Sequence, residues 1–186
     1  MDTELKNQPQ PVLILLGPSG AGKSTLAAWV CEDLRFLHIE IDRFPDGDGI
    51  DLANLRCQWD DFWLRAEPEA LKSEVRSRAQ SDGRFGVVLS FPSVVVLSTN
   101  HLTACEKSCI SVVVAYGPRA ECLSAFINRE KALNRGLTTE HWRQHNDDAC
   151  ERFSGPAYTS YRLSVFESGQ FKDRAALVEE IRQRVG

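Results

Sequence analysis

The stretch VLILLGPSGAGKSTLAAWV, residues 12–30, decides how this chain is read. Val12–Leu16 is an unbroken apolar run, the pattern of a strand buried on both faces. Directly after it, Gly17, Gly22, Lys23 and Ser24 satisfy G-x-x-x-x-G-K-[ST]. Glycines let the backbone wrap tightly and turn its N–H groups toward a polyphosphate, and the helix that follows adds its positive end at the same place. Gly17, Pro18, Ser19, Gly20, Ala21, Gly22, Lys23, Ser24 and Thr25 therefore form the expected cradle for ATP. Lys23 is expected to reach the β- and γ-phosphates and Ser24 to offer its hydroxyl to Mg²⁺. From residue frequencies the pattern arises by chance in roughly one chain in 150 of this length, and its place at a strand-to-helix junction makes coincidence rarer.

Outward from this motif, further short apolar runs occur at Phe36–Ile41, Gly86–Phe91, Ser111–Tyr116 and Tyr161–Phe166. Helical stripes separate them. Leu26, Val30, Leu34 and Leu37 make one. Leu52, Leu55, Trp59, Phe62 and Trp63 make a second, with Asp51 as an N-cap. Leu71, Val75 and Ala79 follow Pro68. Cys122, Leu123, Phe126, Ile127 and Leu133 follow Gly117-Pro118-Arg119, and Leu177, Val178, Ile181 and Val185 close the chain. Strands alternating with helices imply an α/β fold with right-handed crossovers. Ligands of such sheets bind beyond the carboxyl ends of the strands, which makes the long intervals 42–68 and 134–160 candidate substrate flaps.

At 186 residues, 42% of them hydrophobic, the chain can build a single core. The expected division is a loose tail over 1–10 and one domain over 11–186. A net charge of −4 argues against a protein that coats nucleic acid or anionic membrane. The polar start MDTELKNQPQP has no apolar signal region. Six scattered cysteines without an export signal then read as reduced thiols in a cytoplasm.

GPSGAGKST near the start, a carboxylate after the second strand and arginines in a late flap resemble the small P-loop kinases, a group that includes shikimate, gluconate and adenylate kinases. The resemblance implies a five-stranded parallel sheet flanked by helices on both faces. It also implies an acceptor-binding segment, about 42–80, and a lid, about 129–150. An aspartate at the end of the second strand contacts the acceptor hydroxyl in such kinases, and Asp42 holds that position here. A hydroxyl attacking a γ-phosphate benefits from a carboxylate that accepts or orients its proton. A phosphate acceptor would call for arginines instead. Glu40 is a weaker candidate for the magnesium shell.

Between Glu40 and Asp61 the acids Glu40, Asp42, Asp46, Asp48, Asp51, Asp60 and Asp61 outnumber the bases Arg43 and Arg56. Such a surface suits a neutral or cationic acceptor. Phe44, Trp59, Phe62 and Trp63 are candidates for stacking on an aromatic acceptor, although core packing explains the last three better. FGVVLSFPS offers Ser90 and Ser93 where many P-loop proteins place a magnesium-holding aspartate. It resembles the small kinases that lack this acid, and leaves magnesium to Ser24, phosphates, water and Asp42. Arg119, Arg129, Lys131, Arg135 and Arg143 populate the flap after the fourth strand. Arg129 and Arg135 resemble lid arginines that stabilise charge on the transferring phosphoryl group. LTTEHW restarts a helix, capped at Thr138 or Thr139 with Glu140 in the first turn. His141 with His145, and Cys105 with Cys109, lack the second half of a zinc site. The final strand and helix resemble the wall on the adenine side.

The reading these features favour is ATP-dependent transfer of a phosphoryl group to a hydroxyl of a small molecule. Two alternatives stay open. One is a nucleotide kinase with a monophosphate acceptor, which would use Arg43, Arg56, Arg65, Arg76 and Arg78. The other is a nucleotide-binding or ATPase module, or a nucleic-acid end kinase.

Overall fold

The computed structural model describes residues 10–41, 55–134 and 140–185. Asp42, Arg43, Phe44, Asp46, Asp48, Asp51, Leu52, Arg135, Thr138 and Thr139 lie outside the described residues. Strand β1 (Val12–Leu16) leads into helix α1 (Lys23–Leu34) and strand β2 (Phe36–Glu40). Helices α2 (Arg56–Arg65) and α3 (Glu69–Ser81) precede β3 (Gly86–Ser90). Helix α4 (Thr99–Lys107) precedes β4 (Ile110–Tyr116). Helices α5 (Arg119–Ala132) and α6 (Glu140–Ser154) follow, then a 3-10 turn over Pro156–Tyr161 and β5 (Arg162–Ser164). A hairpin of β6 (Phe166–Glu167) and β7 (Gln170–Phe171) leads into α7 (Arg174–Val185).

The five main strands pair in parallel in the order β2-β3-β1-β4-β5. The period of two in β1 explains its uninterrupted apolar sequence. Val12, Ile14 and Leu16 enter one core with Leu71, Val75, Phe62 and Leu102. Leu13 and Leu15 enter the other with Leu26, Val30, Cys122, Leu177 and Ile181. All five side chains are fully buried. The sheet therefore presents the P-loop at the carboxyl end of its central strand, with β3 and β4 on either side.

Several expectations change. Leu37 belongs to β2 and not to the α1 stripe, because Arg35 adopts the left-handed conformation (φ 56°) and ends the helix. Leu133 is the exposed C-cap of α5 instead of part of its packed face. The last main strand stops at Ser164. Phe166 leaves it to face Phe171 across a turn in which Ser168 and Gly169 both have positive φ. Helix α4 carries no apolar stripe long enough to announce it, burying only Leu102 and Cys105. Its start is set by a reciprocal cap in which Ser98 and His101 satisfy each other's backbone N–H groups.

Candidate active site

Helix α1 begins at Gly22 with φ 76°, has no side-chain cap and carries no acid in its first turn. Its first N–H groups, and the positive end of its dipole, are thus left to an anion. Gly20, at φ 79°, is held against α5: a Cβ there would lie 2.0 Å from the Cys122 carbonyl oxygen and 2.8 Å from the Phe126 nitrogen. The tight loop is fixed by its backing as well as by its own conformation. Lys23 folds back over it, Nζ donating to the carbonyls of Gly17 (2.8 Å) and Pro18 (3.1 Å). A polyphosphate offers the same ammonium better acceptors, since a charged oxygen binds it more strongly than a carbonyl.

The loop opens on a cleft of about 490 Å³. Ser24, Glu40, Ser90 and Phe91 line it together with Ala125, Arg129, Phe166 and Phe171. Ser24 Oγ lies 3.4 Å from Glu40 Oε1. A hydroxyl beside a carboxylate is an all-oxygen pair of the kind Mg²⁺ accepts when phosphates and water complete its shell. The residues present fit that ion. Among the described residues no cluster of three or more His, Cys, Asp or Glu could hold a metal, so the phosphates would have to supply much of the coordination. Glu40 is also paired in register with Ser90. The carboxylate missing from β3 is therefore available one strand away, at the end of β2. Ser90 itself shares a hydrogen bond with His38 Nε2 at 2.8 Å.

Sequence reasoning underrated two further groups. Ser19 Oγ in the loop lies 3.2 Å from Ser93 Oγ, which in turn lies 3.4 Å from His145 Nε2 on α6. Burial, reinforced by Arg152 and His141, holds His145 below the ordinary histidine value, although Asp148 opposes this. The second group is the aromatic pair on the β6–β7 hairpin. Phe171 packs on Trp29 and Phe166 at centroid distances of 5.6 and 5.5 Å. Its ring edge lies 2.4 Å from where a Gly22 Cβ would be. The turn dipeptide Ser168-Gly169 between Phe166 and Phe171 was the available signal.

Arg129 lines the cleft and donates to Glu130 Oε1 through Nε at 2.8 Å, with its guanidinium over the Phe126 ring. Arg119 pairs instead with Asp147 on α6. Phe62 is fully buried. Trp59 is sandwiched between Trp63 and Phe91 at 5.5 and 5.0 Å, and Trp63 keeps 38% of its surface exposed. Among the described residues, the arginines expected to serve a monophosphate acceptor have partners of their own. Arg56 pairs with Asp60, Arg65 with Asp61 and Arg78 with Glu74, while Arg76 donates to the Gln10 carbonyl.

The chain superposes on several solved structures of kinases. Over 96% of its length this chain superposes on 95% of a gluconokinase from Sinorhizobium meliloti 1021, with TM-score 0.53 and 18% identity. A sugar kinase from Janibacter sp. HTCC2649 gives TM-score 0.54 and 17% identity, covering 95% of this chain and 94% of its own. Shikimate kinase from Acinetobacter baumannii gives 0.51 and 20%, covering 94% and 92%. At such identities the likeness establishes the fold: this chain has the P-loop small-molecule kinase fold, a five-stranded parallel sheet flanked by helices. No protein-family model and no curated protein sequence matches the chain. No helix among the described residues is long and apolar enough to cross a membrane.

Proposed function

We propose that this protein is a phosphotransferase that moves the γ-phosphate of ATP to a hydroxyl group of a small molecule. The observation that carries the reading is the uncapped, acid-free start of α1 at Gly22, with Ser24 and Glu40 side by side in the cleft beneath it. Residues 11–186 act as one unit, with the acceptor bound by the segment 42–80 and a lid formed over 129–150.

In this reading the amides of residues 17–25 hold the phosphates, and Lys23 exchanges the Gly17 and Pro18 carbonyls for phosphate oxygens. Ser24 and Glu40 would hold Mg²⁺, which would supply neutralisation of phosphate charge. Asp42, two residues beyond Glu40, accepts the proton of the acceptor hydroxyl. The acceptor oxygen forms its bond to the γ-phosphorus as the bond to the β–γ bridging oxygen breaks, and ADP leaves. Arg129 and Arg135 counter the charge that spreads over the transferring group. Phe166 and Phe171 offer the aromatic surface on which the adenine ring stacks. The engagement of Arg56, Arg65, Arg76 and Arg78 elsewhere supports a hydroxyl acceptor over a monophosphate.

A panel of nucleosides, polyols and amino sugars, each run beside its monophosphate, tests this with Mg·ATP and ADP release as readout. Turnover with a hydroxyl compound, lost in Lys23→Ala and lowered in Asp42→Asn with nucleotide affinity kept, is expected. Turnover confined to monophosphates, or unaltered in Asp42→Asn, would overturn the acceptor assignment.

A further inference from the structure

The carboxyl ends of β2 and β3 carry a polar cluster that the phosphate loop does not account for. Along β2, Leu37 and Ile39 pack into the core that holds Phe62 and Leu71, while Phe36 enters the core that holds Leu26 and Val30. The period of two then puts His38 and Glu40 on the α1 side of the sheet. Along β3, Leu89 enters the first core and Val88 the second, so Ser90 shares the face of His38 and Glu40. The parallel register sets Glu40 beside Ser90 and His38 beside Val88. His38 reaches past Val88 to Ser90, its Nε2 lying 2.8 Å from Oγ. Backbone bonds fix the strands here: Ile41 N–H donates to the Ser90 carbonyl at 3.0 Å, and Phe91 N–H to the Leu15 carbonyl at 3.2 Å.

Ser90 is 3% exposed, yet it lines the cleft with Glu40 and Ser24. Among the described residues its hydroxyl has one hydrogen-bond partner, His38 Nε2. A hydroxyl has a single proton to give and two lone pairs with which to accept. Were Nε2 the donor, the buried O–H would lack an acceptor, and orphaned buried donors are rarer than acceptors with a spare lone pair. Ser90 therefore donates to a neutral His38 whose own proton is on Nδ1. With its proton committed, Ser90 Oγ can only accept.

We propose that His38 is a positioning residue: by accepting the Ser90 hydroxyl proton in a hydrogen bond, it makes Ser90 Oγ a dedicated acceptor for magnesium-bound water, in place of the carboxylate that β3 lacks. Mg²⁺ dehydrates reluctantly and keeps several waters, whose hydrogens need acceptors around them. Acceptors outside the direct ligands typically change metal affinity by about 10–100-fold. A serine fills that place as a carboxylate does only when its proton is held elsewhere, and the imidazole nitrogen at 2.8 Å holds it.

The hydrogen bond stands without the phosphotransfer reading; only its role toward magnesium rests on it. Full-length protein carrying ¹⁵N-histidine, at about pH 8 where imidazole is neutral, reports the tautomer by two-bond proton–nitrogen NMR. The expected signal is a protonated Nδ1 and a bare Nε2, assigned to His38 by its loss in His38→Phe. A proton on Nε2 would overturn the proposal. Calorimetric titration of MgCl₂ into ADP-saturated protein gives the second readout. His38→Phe and Ser90→Ala should each weaken Mg²⁺ about tenfold with affinity for Mg-free ADP kept, and the double variant should be no weaker than either. His38→Gln, whose amide oxygen can accept the same hydrogen, should regain most of the loss. Unchanged Mg²⁺ affinity, losses that add in the double variant, or a His38→Gln as impaired as His38→Phe would each overturn it too. Wild type that takes up no ADP would instead defeat the nucleotide reading, with the tautomer still deciding the His38–Ser90 assignment.

Discussion

Gly20 gives the sharpest test of how the P-loop is held, because a matching control exists in the same chain. Gly20 has φ 79° and Gly83, in the turn after α3, has φ 64°. Alanine in the left-handed region costs about 1–2 kcal/mol at either position. The surroundings differ. A Cβ at Gly83 meets nothing within 4 Å, whereas at Gly20 it would lie 2.0 Å from the Cys122 carbonyl oxygen and 2.8 Å from the Phe126 nitrogen. Both of those atoms are backbone of α5, which is anchored by Cys122 and Phe126 in buried positions. No rotamer change relieves the clash, so loop or helix must move, at a cost typical of overpacking, about 1–3 kcal/mol. Gly20→Ala should then lose about 2–5 kcal/mol in all, and Gly83→Ala only the backbone share of about 1–2 kcal/mol. Urea unfolding of both variants at one temperature measures the difference directly, provided the slopes agree. Equal losses in the two variants would refute the claim that α5 fixes the loop from behind.

Three further predictions address other parts of the account. Glu40→Gln should raise the Mg²⁺ concentration needed for half-maximal ATP turnover about tenfold or more, with Mg-free nucleotide binding kept; unchanged magnesium dependence would remove Glu40 from the metal shell. Tyr158→Phe removes the 2.6 Å bond to the buried Leu97 carbonyl, so stability should fall by about 1–3 kcal/mol in urea. The Tyr158 phenol, raised by burial to about 12, should also not ionise near its ordinary value in a spectrophotometric titration. His145 is held below its unfolded value, so its contribution to stability is complete above about pH 6.5 and is lost as pH falls through its native value. Native His145 should titrate below about 6.5 by NMR, and wild type should lose stability relative to His145→Gln on acidification.

The sheet was legible because β1, β3 and β4 are buried on both faces and carry near-continuous apolar sequence, which nothing exposed would retain. Helix α3 was legible for the complementary reason: Leu71, Val75 and Ala79 repeat at one face and all three are buried. Helix α4 was not, since its start depends on a Ser98–His101 cap and just two of its residues face the core. The hairpin at Phe166 was read through as strand because Val165 and Phe166 look like more of β5. Only the pairing of Phe166 with Phe171 and the positive φ at Ser168 and Gly169 turn the chain back. In the site, the glycine spacing of residues 17–24 revealed the loop, since its geometry is local. The nearness of Glu40 to Ser24, and of His145 to Ser93 and Ser19, depends on which strands and helices become neighbours. Sequence spacing carries no trace of that.

Calorimetric titration of Mg·ATP into wild-type protein and Lys23→Ala, with both shown to be folded by circular dichroism, tests the phosphate cradle most directly. Saturable binding by wild type at one site, weakened at least about tenfold in Lys23→Ala, is the predicted result. Well-folded wild type that takes up no Mg·ATP, or a Lys23→Ala variant that binds it just as tightly, would contradict the account.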